Sequence, residues 1–150
     1  MTDLNRRHVL TAGLGVLAIS STPLPSFASP EELEQMRRDL FGDRPVNEGR
    51  VEVTLPPIAE NGFSVPLSVK VESPMTADDY VKRVAILSPR NPIPLIAQYH
   101  FTPQSGLAHV DARIRMSGTQ AIQAIAEMSD GSLWSGRRET VVTLAACVVL

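Results

Sequence analysis

From Val51 onward the period of the apolar residues changes to two, and turn residues break the chain into short runs. Val51, Val53 and Leu55 alternate with polar residues as far as Pro56-Pro57. Val65, Leu67, Val69 and Val71 repeat the pattern after the Glu60-Asn61-Gly62 turn. Val81 to Leu87 comes next, then the rigid loop Pro89-Arg90-Asn91-Pro92-Ile93-Pro94. Leu95 to Phe101, Ala108 to Met116, Ala121 to Met128 and Leu133 to Val142 complete the series. Pro103-Gln104-Ser105-Gly106, Ser117-Gly118-Thr119 and Ser129-Asp130-Gly131 separate them. A period of two turns alternate side chains to one face, which suits strands with one side buried. About seven short strands with turn residues between them predict an all-β fold, an antiparallel β-sandwich of immunoglobulin type. Ala121 to Met128 has a composition that also suits a helix, but its place between two turn signals favours a strand. Twelve prolines, nine glycines and 5% aromatic residues agree with many short strands rather than long helices. The 150 residues are enough for one domain with a real core, and there is no internal repeat or low-complexity linker.

One helix is expected ahead of the strands. Ser29 can cap it, Pro30 fits the first helical position, and Glu32 completes a capping box. Leu33, Met36, Leu40 and Phe41 recur at helical spacing, and Gly42 ends the run. A charged helix with so narrow an apolar stripe needs a body to pack against.

Asn5-Arg6-Arg7-His8 precedes an apolar stretch, Val9 to Ile19, that is too short to span a bilayer. It breaks at Pro23 and Pro25 and reaches Ser26-Phe27-Ala28, a small-x-small cleavage site. Residues 1–28 are therefore expected to be a twin-arginine export signal that depends on Arg6 and Arg7, with cleavage after Ala28 and no stable membrane insertion. The twin-arginine route carries chains that are already folded. With no cofactor site in view, a partner subunit gained before export would account for early folding. The expected location is the periplasm. A net charge of −2 argues against a nucleic-acid partner, which would call for a basic face.

Cys147 is the only cysteine, so an intrachain disulfide and a multi-cysteine zinc site are both excluded. It lies in residues 141–150, a run with no charged side chain. Two readings stay open. The thiol is a nucleophile or covalent attachment point on a terminal arm, or it is a small apolar filler in the last strand. In an oxidising compartment an exposed thiol is consumed unless it is in use.

Several blocks together resemble the SoxY family, sulfur carriers of the periplasmic thiosulfate-oxidising system. They are Ile58 to Phe63 with Val65-Pro66-Leu67, Val84 to Leu87 leading into Asn91-Pro92-Ile93-Pro94-Leu95, Ala112 to Met116, and the Asp130-Gly131 hairpin. The similarity covers about residues 30–147, within a sandwich domain of 29–147, and the leader also suits the family. The resemblance implies a covalent carrier rather than an enzyme, with no cofactor of its own and with Cys147 as the sulfur attachment site. It implies a heterodimer with a SoxZ-like sandwich subunit. It also implies three clients: a haem-containing sulfur transferase, a metal-dependent hydrolase that releases sulfate, and a sulfur dehydrogenase. The chemistry suits a thiolate, which forms and later surrenders S–S bonds. At its reference pKa of about 8.5 only a few per cent is ionised near neutral pH, so activation falls to the receiving enzymes. Arg137 and Arg138 lie too far upstream to count as helpers.

One departure matters. The family's arm ends in Gly-Gly-Cys-Gly-Gly, whereas Cys147 lies between Ala145-Ala146 and Val148-Val149-Leu150. Glycines keep an arm thin and flexible, while valines stiffen it and add bulk. The alternative function is thus a non-catalytic interaction module that keeps the heterodimer but has lost carriage.

Rival sites are weaker. His100 and His109 with Met75, Met116 and Met128 invite a copper reading, but no clustered spacing supports it. Isolated methionines at strand spacing are ordinarily core. Asp78-Asp79 reads as solvated, Arg113 and Arg115 as one surface or subunit face, and Trp134 as core or interface. No Ser-His-Asp order or paired carboxylates stand out.

Overall fold

The computed structural model describes residues 28–146. Helix α1 spans Pro30–Phe41 and starts as its sequence predicts. Ser29 Oγ accepts the Glu32 amide at 3.1 Å, and the Glu32 carboxylate accepts the Ser29 amide at 2.7 Å. Gly42, at φ +71°, closes it, its amide N–H donating a hydrogen bond to the Arg38 carbonyl.

Nine strands follow: β1 (Val46–Glu48), β2 (Val51–Thr54), β3 (Ile58–Ala59), β4 (Val65–Val71), β5 (Val81–Leu87), β6 (Leu95–His100), β7 (Ala108–Ile114), β8 (Gln120–Met128) and β9 (Leu133–Val142). One sheet runs β1-β9-β8-β5-β6, with β3 also on β9, and the other runs β2-β4-β7. The fold is the expected immunoglobulin-like sandwich, and the seven strands read from the sequence are all present. The two additional strands, β1 and β3, both pair with β9 in parallel. Between them the chain crosses to the other sheet as β2, so residues 46–59 stitch the two layers together along one edge. Gly136 of β9 makes that crossing possible: a Cβ there would sit 2.0 Å from the Val51 carbonyl oxygen.

The main core lies between the sheets and includes Val53, Val65, Leu67, Val69, Val84, Ile86, Ile122, Ala124 and Met128. A second, smaller core lies outside the large sheet. There Leu33, Met36, Leu40 and Phe41 of α1 cover Ala85, Leu87, Ile125 and Leu133. Strands β5 and β8 are therefore apolar on both faces, which explains why Ala121 to Met128 lacks strict alternation. Met75, Met116 and Met128 are all buried. Trp134 packs partly buried on the main core.

Glu127 clamps the helix to the sheet. Its carboxylate, 12% exposed, accepts Arg44 Nη1 at 2.9 Å and Arg83 Nε at 2.5 Å. Arg83 also donates to the Leu40 carbonyl and lies 4.7 Å over the Phe41 ring. Burial alone would raise the Glu127 pKa, but the bonds from Arg44 and Arg83 outweigh it and hold the group below the usual carboxylate value. A depressed folded pKa stabilises above the unfolded value, and that contribution fades as pH falls through the folded one. Glu127→Gln is expected to cost about 2 kcal/mol at neutral pH. In urea titrations the gap from wild type should narrow below about pH 4, and a gap independent of pH would contradict the clamp.

Candidate functional site

Beyond β9 the chain is not released to solvent. The Val141 amide donates to the Pro57 carbonyl at 3.0 Å, and the Thr143 amide to Ala59 at 3.1 Å. The Thr143 hydroxyl donates to the Glu60 carbonyl, and the Val142 amide to Thr119 Oγ1. Next, the Gly62 amide donates to the Leu144 carbonyl at 2.7 Å, and the Met116 amide to the Gly62 carbonyl at 2.9 Å. The Ala146 amide then donates to the Met116 carbonyl at 3.1 Å. Three backbone segments thus meet around Gly62, and the last of these bonds is one residue before Cys147.

Only glycine fits at that junction. A Cβ on Gly62 would lie 2.1 Å from the Met116 carbonyl oxygen and 3.1 Å from the Ala146 nitrogen. Glu60-Asn61-Gly62 predicts a turn, whereas the work of Gly62 is to let backbones approach.

Met116 is itself held in place from the other side. Asn91 Nδ2 donates to the Arg115 carbonyl at 2.8 Å, and Asn91 Oδ1 accepts the Ser117 amide at 3.0 Å and Gln120 Nε2 at 3.1 Å. Ser88 Oγ donates to Gln120 Oε1 at 2.6 Å and accepts the Asn91 amide at 3.0 Å. Ser88, Asn91, Ser117 and Gln120 are all buried, so the network is both costly to break and stiff. The proline loop noticed in the sequence therefore acts through the Asn91 carboxamide, which pins the residues on either side of Met116. Arg115 is exposed beside this junction, and Arg113 donates to Ser64.

Four exposed apolar side chains lie on the segments that hold the same root. Ile58 is 63% exposed, Phe63 54%, Val141 45% and Leu144 59%. Ile58 and Val141 are register partners in the β3–β9 pair, and Phe63 follows the glycine that holds Leu144.

Cys147, Arg6 and Arg7 lie outside the described residues. Ala28 is the first described residue and is buried. Arg137 and Arg138 are exposed on β9. His100 and His109 stand on the edge strands of different sheets, β6 and β7. Ser68 Oγ lies 2.9 Å from His109 Nε2, and Asp111 Oδ1 lies 3.3 Å from the same nitrogen. A proton relay needs a partner on each ring nitrogen, so this trio does not make a hydrolytic triad. Among the described residues no three His, Cys, Asp or Glu side chains converge to hold a metal ion. Asp79 forms a long ion pair with Arg50 at 3.9 Å.

The family model of the sulfur oxidation protein SoxY matches residues 37–147. The structure of the sulfur carrier protein SoxY from Chlorobium limicola f thiosulfatophilum superposes with a TM-score of 0.66 at 28% identity, covering 77% of this chain and 100% of that one. A superoxide reductase (neelaredoxin) from Ignicoccus hospitalis has a TM-score of 0.56 at 18% identity, over 63% of this chain and 80% of its own. A superoxide reductase from Nanoarchaeum equitans reaches 0.50 at 13% identity, over 63% and 99%. These two share the fold alone. No curated protein matches the chain. The family match runs from within α1 through the sandwich to the cysteine beyond the Gly62 junction, and the chain belongs to the SoxY family of sulfur oxidation proteins.

Proposed function

We propose that the protein is a sulfur carrier that holds thiosulfate-derived sulfur covalently on Cys147. The observation that carries this reading is the junction at Gly62, Met116 and Ala146. It fixes the backbone up to one residue before the thiol, so the sandwich serves as a rigid handle for whatever the thiol bears. In the first step the thiolate and the outer sulfur of thiosulfate form an S–S bond, and two electrons pass to a haem-containing transferase. Water then cleaves the S–SO3 bond on a metal-dependent hydrolase, releasing sulfate and two protons and leaving a persulfide for a sulfur dehydrogenase. The positive charge of Arg115 beside the root suits a cargo that ends in a sulfonate. We further propose export to the periplasm by the twin-arginine route, in complex with a SoxZ-like subunit.

The test is the intact mass of the exported protein from cells given thiosulfate. Adducts of one sulfur atom and of S–SO3 are expected on a chain beginning at Ser29. They should disappear with a thiol reductant and in Cys147→Ser. An unmodified mass while thiosulfate is being consumed would leave the interaction-module reading in its place. The exposed apolar side chains on the segments that hold the root are what favour that second reading.

A further inference from the structure

We propose that Asn61-Gly62 is a self-modification site, at which the Gly62 nitrogen attacks the Asn61 carboxamide and expels ammonia, and that the Leu144 carbonyl latches it. The reaction needs no enzyme, oxidant or cofactor. As the nitrogen bonds to Asn61 Cγ, its proton leaves with the carboxamide nitrogen as ammonia, and a succinimide ring closes. Water then opens the ring at one of its two carbonyls and leaves aspartate or isoaspartate. An asparagine before glycine suits this attack, because no Cβ crowds the nitrogen. Asn61 is the one asparagine in the chain that precedes a glycine. It is exposed, whereas Gly62 is buried.

The electrophile is set while the nucleophile is held. The Phe63 amide donates to Asn61 Oδ1 at 3.1 Å, an Asx turn. That puts a donor on the oxygen that gains negative charge when the nitrogen adds. The Gly62 amide, however, donates to the Leu144 carbonyl at 2.7 Å, and the Gly62 carbonyl accepts the Met116 amide at 2.9 Å. A nitrogen in such a bond keeps its proton, and a residue bonded on both sides does not turn towards the carboxamide. Attack therefore waits for the junction to open locally. The product does not refasten. Isoaspartate adds a methylene to the main chain just ahead of Gly62, where even a Cβ would lie 2.1 Å from the Met116 carbonyl oxygen. The arm thus shields the residue that fastens it, and every unlatched interval risks a one-way loss.

The inference is independent of sulfur carriage. Its experiment incubates the mature protein at mildly alkaline pH and maps peptides by mass after a digestion kept acidic to halt the reaction. The readout is the mass gained when OH replaces NH2 at Asn61, with isoaspartate as a separately eluting peptide of that mass. Folded wild type is compared with wild type in denaturing urea and with a chain ended at Thr143, which lacks the Leu144 carbonyl. Thermal melting confirms the fold of the shortened chain. Folded wild type should react about tenfold more slowly than either, the ratio that roughly 1.4 kcal/mol of latch maintains. In sub-denaturing urea the wild-type rate should rise in step with hydrogen exchange of the Gly62 amide, which reads the latch in the full chain. Chains that have reacted should show the Ala146 amide unprotected. A folded wild-type rate within about twofold of that in denaturing urea, almost no latch at all, would overturn the proposal. So would a folded shortened chain that reacts as slowly as wild type, or a rate that stays flat while the Gly62 amide exchanges faster.

Discussion

Gly62→Ala should unfasten the end of the chain while leaving the sandwich folded. The added methyl meets the Met116 carbonyl at 2.1 Å, and that atom cannot swing aside like a side-chain tip, because Asn91 holds its neighbours. The segment around Gly62 must move out. Three bonds then fail together: Gly62 to Leu144, Met116 to Gly62, and Ala146 to Met116. At about 1 kcal/mol net for each, the junction loses about 3 kcal/mol. The loss is local, since the atoms nearest the new methyl belong to the backbone of Met116 and Ala146. Hydrogen exchange should show the Gly62, Met116 and Ala146 amides exposed, with protection in β5 and β8 kept. Retained protection at Ala146 would mean that the junction does not hold the arm.

Gly136→Ala presents the same kind of collision with the opposite consequence. Its Cβ would lie 2.0 Å from the Val51 carbonyl oxygen and 2.9 Å from the Val51 carbonyl carbon. Here the colliding backbone is β2, which belongs to the other sheet, and relief requires the two layers to separate. Val51 and Val53 are buried in the main core, so separation admits water to the centre of the molecule. The expected cost is about 4 kcal/mol, at the upper end for overpacking. For a domain of this size that is a fall in Tm of about 15 °C, in one cooperative transition with every strand affected. A loss confined to β2, with β8 and β9 still protected, would show that the crossing is not structural. The pair separates two glycines that look alike in sequence: one fastens an arm, the other joins the sheets.

The strands of the sandwich were legible because β2 and β4 alternate and turn residues bound the other runs, and α1 because Ser29, Pro30 and Glu32 mark its start locally. β8 was ambiguous for a physical reason: a helix covers its second face, so the polar half of the pattern is missing. β1 and β3 left no trace, being three and two residues long with partners in β9 far along the chain. The thiol was visible as a lone cysteine, but its support was not. Gly62 and Asn91 were noticed as a turn and as part of a proline loop. That one admits a close backbone approach and the other pins Met116 depends on which segments the topology brings together. The exposed apolar residues at the root were equally hidden, since Ile58 and Val141 become partners only after β3 and β9 pair.

The parallel seams on β9 bear on how this molecule is made. Residues 133–142 are translated late, yet they fill the slot between β8 on one side and β1 and β3 on the other. While the ribosome has delivered only the first eight strands, β8 has an open flank and both stitches lack a mate. The nascent chain must be kept from pairing with its neighbours until residue 142 emerges, and closure over such long sequence separations is slow.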